Sequence, residues 1–159
     1  MTRHCARGAR SLSPSSAKPG SAGDWLARAQ RNLIRARNLP PEPGFFLHDA
    51  CFDAQQASEK AIKAVLTHLG IGFAYTHNWT ELLSLILNRG YEVTEAARQA
   101  GRLTEYAVAT RYPPSIEDIS AEEYKVALTI ASHVYAWAVG MIAGGGEPRD
   151  QSQRCMACA

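Results

Sequence analysis

A row of polar side chains in the middle of the chain has the composition of a ligand site. Its members recur at positions i, i+3, i+4 and i+7, so a helix would place them on one face. They are Gln56, Glu59, Lys60 and Lys63, here called the polar row. Ammonium groups bind phosphate, and carboxylate or carboxamide groups bond hydroxyls and base edges. A solvated face with a Glu59–Lys63 pair at i,i+4 explains the same pattern, so both interpretations stay open.

Two further motifs place functional side chains beside predicted helix ends. His77 directly precedes a helix start, where it either bonds the helix terminus or reaches the polar row if the loop folds back. Arg111-Tyr112-Pro113 closes a later predicted helix. Arg111 either complements the helix dipole there or presents a fixed guanidinium to a phosphate or carboxylate. The residues alone leave both pairs of alternatives open.

The cysteines and histidines do not form a metal or redox motif. Cys155 and Cys158 have the spacing of half a zinc site, but a structural zinc ion needs four ligands. A thioredoxin-like role would need a βαβ context, which the pattern lacks. We therefore predict neither a metal nor a cofactor. No apolar segment resembles a signal peptide or is long enough to span a membrane, which favours the reducing cytoplasm.

The charge of the chain is unevenly distributed. The whole sequence carries a formal net charge of +2. Residues 1–23 hold four Lys or Arg and no acid, whereas residues 24–143 hold 11 Lys or Arg against 13 Asp or Glu. The central part is therefore mildly acidic, and we do not expect bulk binding to a nucleic-acid backbone, which requires clustered cations.

Apolar periodicity and capping signals predict helices over about 24–38, 46–69, 78–88, 94–110 and 120–143. The starts are marked by Asp24 as an N-cap, by Asn78 and by a capping box at Ser120 and Glu123, and Gly70 ends the second helix. The inward side chains of the third helix are Trp79, Leu82, Leu83 and Ile86. Residues 1–23 and 144–159 are predicted to be a disordered leader and tail, because they are rich in helix breakers and poor in large apolar residues. We therefore predict an all-α fold, an antiparallel up-and-down four-helix bundle with a short extra helix in the crossover. Four small residues in the second helix would let another helix approach closely. They are Ala50, Ala54, Ala57 and Ala61, here called the alanine ridge.

These motifs, in this order, resemble the HEPN domain of prokaryotes. The resemblance is carried by Ala54-Gln55-Gln56-Ala57-Ser58-Glu59-Lys60-Ala61-Ile62-Lys63-Ala64, then Thr76-His77, then Arg111-Tyr112-Pro113. It covers residues 24–143 and points to the small stand-alone branch encoded beside a minimal nucleotidyltransferase. It implies a helical bundle, a homodimer and kinship with the helical domain that helps to bind substrate in aminoglycoside nucleotidyltransferases.

The ribonuclease signature of many HEPN proteins is missing from this chain. That signature is an Arg, four to six residues and a His, which supply charge stabilisation and proton transfer. None of the five histidines has an Arg at the required distance before it, and the corresponding positions after Arg111 hold Ile116, Glu117 and Asp118. Pro114 is a second departure, because relatives of this branch often carry an acid there. We therefore expect a non-catalytic protein.

The resemblance and the polar row together predict binding of a nucleotide or another small phosphorylated ligand. The protein would act with a nucleotidyltransferase partner, as in a toxin–antitoxin pair. Phosphates would meet Lys60, Lys63 and Arg111; hydroxyls or a base edge would meet Gln56 and Glu59; His77 and Tyr112 would orient or stack the ligand. The alternatives are an interaction module without a ligand, in which the alanine ridge and the polar row bind a second copy or the transferase, and a ribonuclease with relocated residues.

Overall fold

The computed structural model describes residues 17–38, 47–74, 76–104 and 119–145, and all regular structure within those ranges is helical. The prediction of an all-α fold is confirmed. The helices are α1 (Ala22–Arg37), α2 (Leu47–His68), α3 (Trp79–Asn88), α4 (Glu95–Gln99, continued by a 3-10 turn at Ala100–Leu103) and α5 (Ala121–Gly140, followed by a π turn at Met141–Gly145). The four-helix arrangement stays a prediction, because residues 105–118 lie outside the described ranges, as do 1–16 and 146–159 of the leader and tail.

The first helix begins two residues before its predicted start. Ser21, not Asp24, is the N-cap, and its hydroxyl accepts the backbone N–H of Asp24 at 3.2 Å. Asp24 instead lies in the first turn, where its carboxylate accepts the N–H of Gly20 at 2.9 Å. That bond and Arg28 lower the pKa of Asp24. A negative charge in the first helical turn is also favoured by the helix dipole.

The second helix is the centre of the bundle and packs against both α1 and α5. All four alanines of the ridge are buried, as the small-residue pattern predicted. Small side chains allow close helix approach, and larger neighbours such as Ile62 and Leu66 fill the space between helices. The ridge is therefore used inside the chain. The expectation that it could bind a second copy or a transferase is wrong for that reason.

The first two helices run antiparallel. Arg35, near the end of α1, pairs with Asp53, near the start of α2, at 2.8 Å. At the other end of the pair, the ring of Trp25 faces the ammonium of Lys63. This alignment places one face of α1 over the polar row of α2.

The third and fourth helices follow the sequence signals only in part. Asn78 caps α3, and the predicted inward residues Trp79, Leu82, Leu83 and Ile86 are all buried. The next helix was predicted to run unbroken from 94 to 110, but it is α-helical for five residues and then tightens to a 3-10 turn. Gly101 lies in that turn, and glycine disfavours a continuous α-helix because its backbone loses the most entropy on folding.

The last helix begins at a capping box, as predicted, with Ser120 and Glu123 bonding each other's backbone N–H groups.

The same helix corrects the expectation that no apolar segment is long enough to span a membrane. By length and composition, Ala121–Gly144 is apolar enough to cross a membrane, with a mean hydropathy of 1.6 over its most apolar window. Polar residues interrupt its apolar run in the sequence, which is why the expectation failed. Within the bundle, Ala127, Ala131 and Val134 of this helix are buried in the core.

Candidate functional site

A buried ion pair forms the centre of the candidate site. The ammonium of Lys63 lies 2.6 Å from a carboxylate oxygen of Glu59, and the two residues are 5% and 4% exposed. The predicted i,i+4 pair is therefore present, but the interpretation of the polar row as a solvated face is wrong. Charged residues are rarely buried this completely unless they are paired.

The surroundings of the pair come from both helices. On the α1 side, the Lys63 ammonium lies 5.6 Å from the ring centre of Trp25, within the range of a cation–π interaction. On the α2 side, the amide of Gln55 donates to Glu59 at 3.2 Å, and the amide of Gln56 donates to Gln55 at 2.8 Å. The chain of hydrogen bonds therefore leads from the buried carboxylate to the half-buried Gln56.

The loop before α3 folds back onto the polar row, which is one of the two arrangements expected for the Thr-His motif. The Nδ1 atom of His77 lies 3.1 Å from Glu59 Oε2, while 69% of the His77 side chain is exposed. An ionised carboxylate can only accept hydrogen bonds, so Nδ1 carries the proton. In the neutral imidazole, Nε2 then holds a free lone pair on the side away from Glu59.

Glu59 is held in its ionised form despite its burial. Desolvation raises its pKa, but the hydrogen bonds from Lys63 and His77, together with the positive charge of Lys63, outweigh this effect and leave the pKa below its usual value. The carboxylate therefore stays charged at neutral pH and accepts bonds from Lys63 at one oxygen and from Gln55 and His77 at the other.

A second polar cluster lies further along the groove between α1 and α2. Lys60 donates to the side-chain oxygen of Asn32 at 2.6 Å, and the amide of Asn32 donates to Asp53, which also pairs with Arg35. Burial and the positive charge of Arg35 lower the pKa of Lys60, although the carboxylates of Glu59 and Asp53 act in the opposite direction. The hydrogen-bond acceptor that the described residues give Lys60 is a neutral amide.

The structure brings the polar row and His77 together along the α1–α2 groove. The predicted site residues Arg111 and Tyr112 lie outside the described residues, so their place in the site stays a prediction. Sequence reasoning missed four contributors, which are Trp25, Asn32, Asp53 and Gln55. Asn32 follows Trp25 by seven residues and Asp53 precedes Lys60 by seven, so each pair shares a helix face. That spacing is a usable signal once the two helices are known to pair.

Neither a metal site nor a reactive thiol is visible in the described part of the chain. No three His, Cys, Asp or Glu side chains there lie close enough to hold a metal ion. Cys51 is fully buried in α2, and burial raises the pKa of its thiol to about 12, so it is protonated and unreactive at neutral pH. The tail residues Cys155 and Cys158 lie outside the described ranges.

A shallow cleft of about 210 Å³ lies between the end of α3 and α4. It is lined by Leu87, Tyr91, Glu92, Val93, Thr94 and Arg98. None of the predicted site residues lines this cleft, so it does not coincide with the candidate site.

Comparisons with known proteins agree on one family. The family model described as HEPN domain matches residues 22–142. Among solved structures, the chain is similar to TT1696 from Thermus thermophilus, with 29% identity, a TM-score of 0.60, and coverage of 77% of this chain and 98% of that one. It shares its fold with ST0689, an archaeal HEPN homologue, at 23% identity and a TM-score of 0.55, with the same coverage of 77% and 98%. Curated proteins give no match.

Removing one member of the buried pair should cost much more stability than removing both. The variant Lys63→Met leaves the Glu59 carboxylate buried without its closest cation, and we expect a loss of about 3–5 kcal/mol in the free energy of unfolding. The double variant Glu59→Met/Lys63→Met removes both charges and should be clearly more stable than the single one. Urea denaturation measures all three proteins.

The matched control is Lys125→Met, which breaks an exposed pair with Glu122. Its cost should stay within about 1 kcal/mol, because solvent screens such pairs. Equal losses for Lys63→Met and Lys125→Met would show that the buried pair has no special energetic role.

The contribution of Glu59 to stability should disappear in acid. Its pKa is lower in the folded protein than in the unfolded chain. Its ionised form therefore contributes fully above the pKa of an ordinary glutamate, about 4.3, and that contribution is lost as the pH falls through the lower folded value. The difference in unfolding free energy between wild type and Glu59→Gln should shrink from pH 7 to pH 3. A difference that stays constant or grows contradicts this assignment; Glu122→Gln, at an exposed position, is the control.

Proposed function

This chain belongs to the HEPN domain family, and we propose that it binds a nucleotide or another small phosphorylated ligand in the α1–α2 groove and acts with a nucleotidyltransferase partner in the cytoplasm. The observation that carries the proposal is the state of Lys60. Its half-buried ammonium donates to a neutral amide, and burial together with the positive charge of Arg35 lowers its pKa although Glu59 and Asp53 act in the opposite direction. A bound phosphate would stabilise this partly desolvated charge, since charge-assisted hydrogen bonds to anions are among the strongest available to a protein.

The retention of a buried charged cluster supports a functional rather than a structural role. Burying ions costs desolvation energy, and well-packed apolar residues are often equally stabilising. Perturbed ionisable groups concentrate at functional sites for this reason. Glu59 and Lys60 are such groups, and they lie beside the buried ammonium of Lys63 and the exposed ring of His77.

We propose that only one of the two lysines expected to meet phosphate does so. Lys63 is fully engaged with Glu59 and Trp25, so it positions the carboxylate instead of binding phosphate. Lys60 takes the phosphate. Gln56 would bond a hydroxyl or base edge and His77 would orient the ligand, while Arg111 and Tyr112 remain the predicted second cation and stacking group.

A second candidate is an interaction module, alone or as half of a toxin–antitoxin pair, and a different observation favours it. Apolar side chains on α1 and α5 are unusually exposed, with Ile34 and Val126 at 47% and Val139 at 38%. Burying such side chains against a partner is favourable. They are candidate contact points for a second copy or for the transferase, in place of the buried alanine ridge.

Ligand binding should depend on Lys60. We expect isothermal titration with ATP or GTP to give heat, and Lys60→Ala to weaken the affinity by roughly tenfold or more, because a charge-assisted hydrogen bond contributes about 1.5–3 kcal/mol. Lys125→Ala is the control, since this exposed lysine lies on α5, outside the groove. No heat at millimolar nucleotide would remove the ligand proposal.

Association should depend on the exposed valines. If the interaction module operates, light scattering of the wild type will give the mass of a homodimer, or of a complex when a transferase is added. Val126→Asp and Val139→Asp should then reduce that mass without changing nucleotide binding. Thr129→Asp, at an exposed polar position of α5, should leave the mass unchanged. A wild-type protein that has the mass of a monomer, both alone and with added transferase, would rule out the interaction module.

A further inference from the structure

His77 differs from an ordinary surface histidine in how its ring is held. Its Nδ1 bonds a carboxylate that is almost completely buried, whereas the ring itself is 69% exposed. The carboxylate is also fixed, because Lys63 bonds its other oxygen and Gln55 shares the oxygen that His77 uses. The imidazole is therefore oriented by a group that cannot easily rotate, and its second nitrogen lies on the side of the ring away from Glu59.

The charge balance shows that Glu59 does not need His77 for neutralisation. Lys63 supplies a full positive charge at 2.6 Å and is itself buried. The bond from His77 therefore also acts on the histidine. A carboxylate bonded to one ring nitrogen fixes the tautomer and the orientation of the ring, as it does in metal sites and catalytic dyads.

We propose that His77 is a phosphoryl acceptor, with Nε2 as the nucleophile. The lone pair of Nε2 attacks the terminal phosphorus of a phosphoryl donor, and a nitrogen–phosphorus bond forms. The phosphorus–oxygen bond to the leaving group breaks, and its electron pair stays on the leaving oxygen. No proton has to leave Nε2, because the proton of the ring is on Nδ1. The imidazolium that results keeps its bond to Glu59, which stabilises the new positive charge.

The donor is a nucleoside triphosphate, and this part of the inference rests on the proposed function. The leaving group is then a nucleoside diphosphate. Lys60 lies one residue from Glu59 along the polar row and is a cation for the donor's phosphates. One phosphoryl group is transferred per protein molecule, so the step is a modification of the chain and not a turnover reaction.

The first test uses phosphoramidate, which phosphorylates histidine without any nucleotide site. The full-length protein is treated at neutral pH, and labelled positions are followed by mass spectrometry. His77 should react roughly tenfold faster than the exposed His68 and His133, because the Glu59 bond to the developing cation is a charge-assisted one. Phosphorus NMR should show only the Nε2-linked isomer. Comparable rates at the three histidines, or an Nδ1-linked product, would overturn the proposal.

Two variants separate orientation from simple exposure. Glu59→Gln should slow labelling of His77 to the rate of His68, and His77→Gln should remove the fast label while His68 and His133 react as before. Undiminished fast labelling of His77 in folded Glu59→Gln protein argues against the inference. If Glu59→Gln does not fold, the isomer formed by the wild type remains decisive, because it needs no variant.

The second test replaces phosphoramidate with magnesium ATP. Acid-labile label on His77 of the wild type, absent from His77→Gln and reduced in Lys60→Ala, supports the nucleotide as donor. Label from phosphoramidate without label from ATP overturns that donor and leaves the acceptor role supported. Conversely, heat of ATP binding without preferential labelling of His77 keeps the proposed function and overturns this inference.

Discussion

The carboxylate of Glu59 must remain charged inside the protein, and the arrangement around it follows from that constraint. Burial opposes the charge, so the fold has to supply donors: Lys63 and Gln55 from α2 and His77 from the loop before α3. These donors have to be held in place, which requires α1 to cover the groove with Trp25 over the lysine. A single ionised group thus ties together two helices and a loop that are separate in sequence.

The second helix meets its neighbours with two chemically different surfaces. Its alanine ridge is buried within the packed core, where contact depends on shape. Its polar row meets α1 through the Lys60–Asn32 hydrogen bond and the Lys63–Trp25 contact, and Asp53 of the same helix pairs with Arg35 of α1. Polar contacts of this kind fix the relative alignment of two helices more narrowly than apolar ones, because displaced partners would leave buried groups unsatisfied. The geometry of the groove is therefore closely defined.

Local signals in the sequence predicted much of the fold. The capping box at Ser120, the cap at Asn78 and the end of α2 before Gly70 were all correct, because each depends on a few adjacent residues. Ser21 was missed as a cap because Asp24 fits the same role by residue type. The 3-10 turn after α4 was missed because helical periodicity does not distinguish it from a continuing helix over so few residues.

The burial of the polar row could not be predicted from local signals. Residues at i, i+3, i+4 and i+7 look identical whether their face meets water or another helix, and only the pairing of α1 with α2 decides between them. The contact of His77 with Glu59 was open for the same reason, since it depends on how a loop folds.

The position of Trp25 has an optical consequence. Indole emission responds to nearby charge, and this ring lies 5.6 Å from a buried ammonium whose own counter-ion touches the imidazole at the mouth of the groove. A change of charge at the His77 ring therefore reaches the indole of Trp25 through the contacts of Glu59 with His77 and with Lys63. The molecule thus carries an intrinsic spectroscopic reporter of whatever happens at its surface histidine.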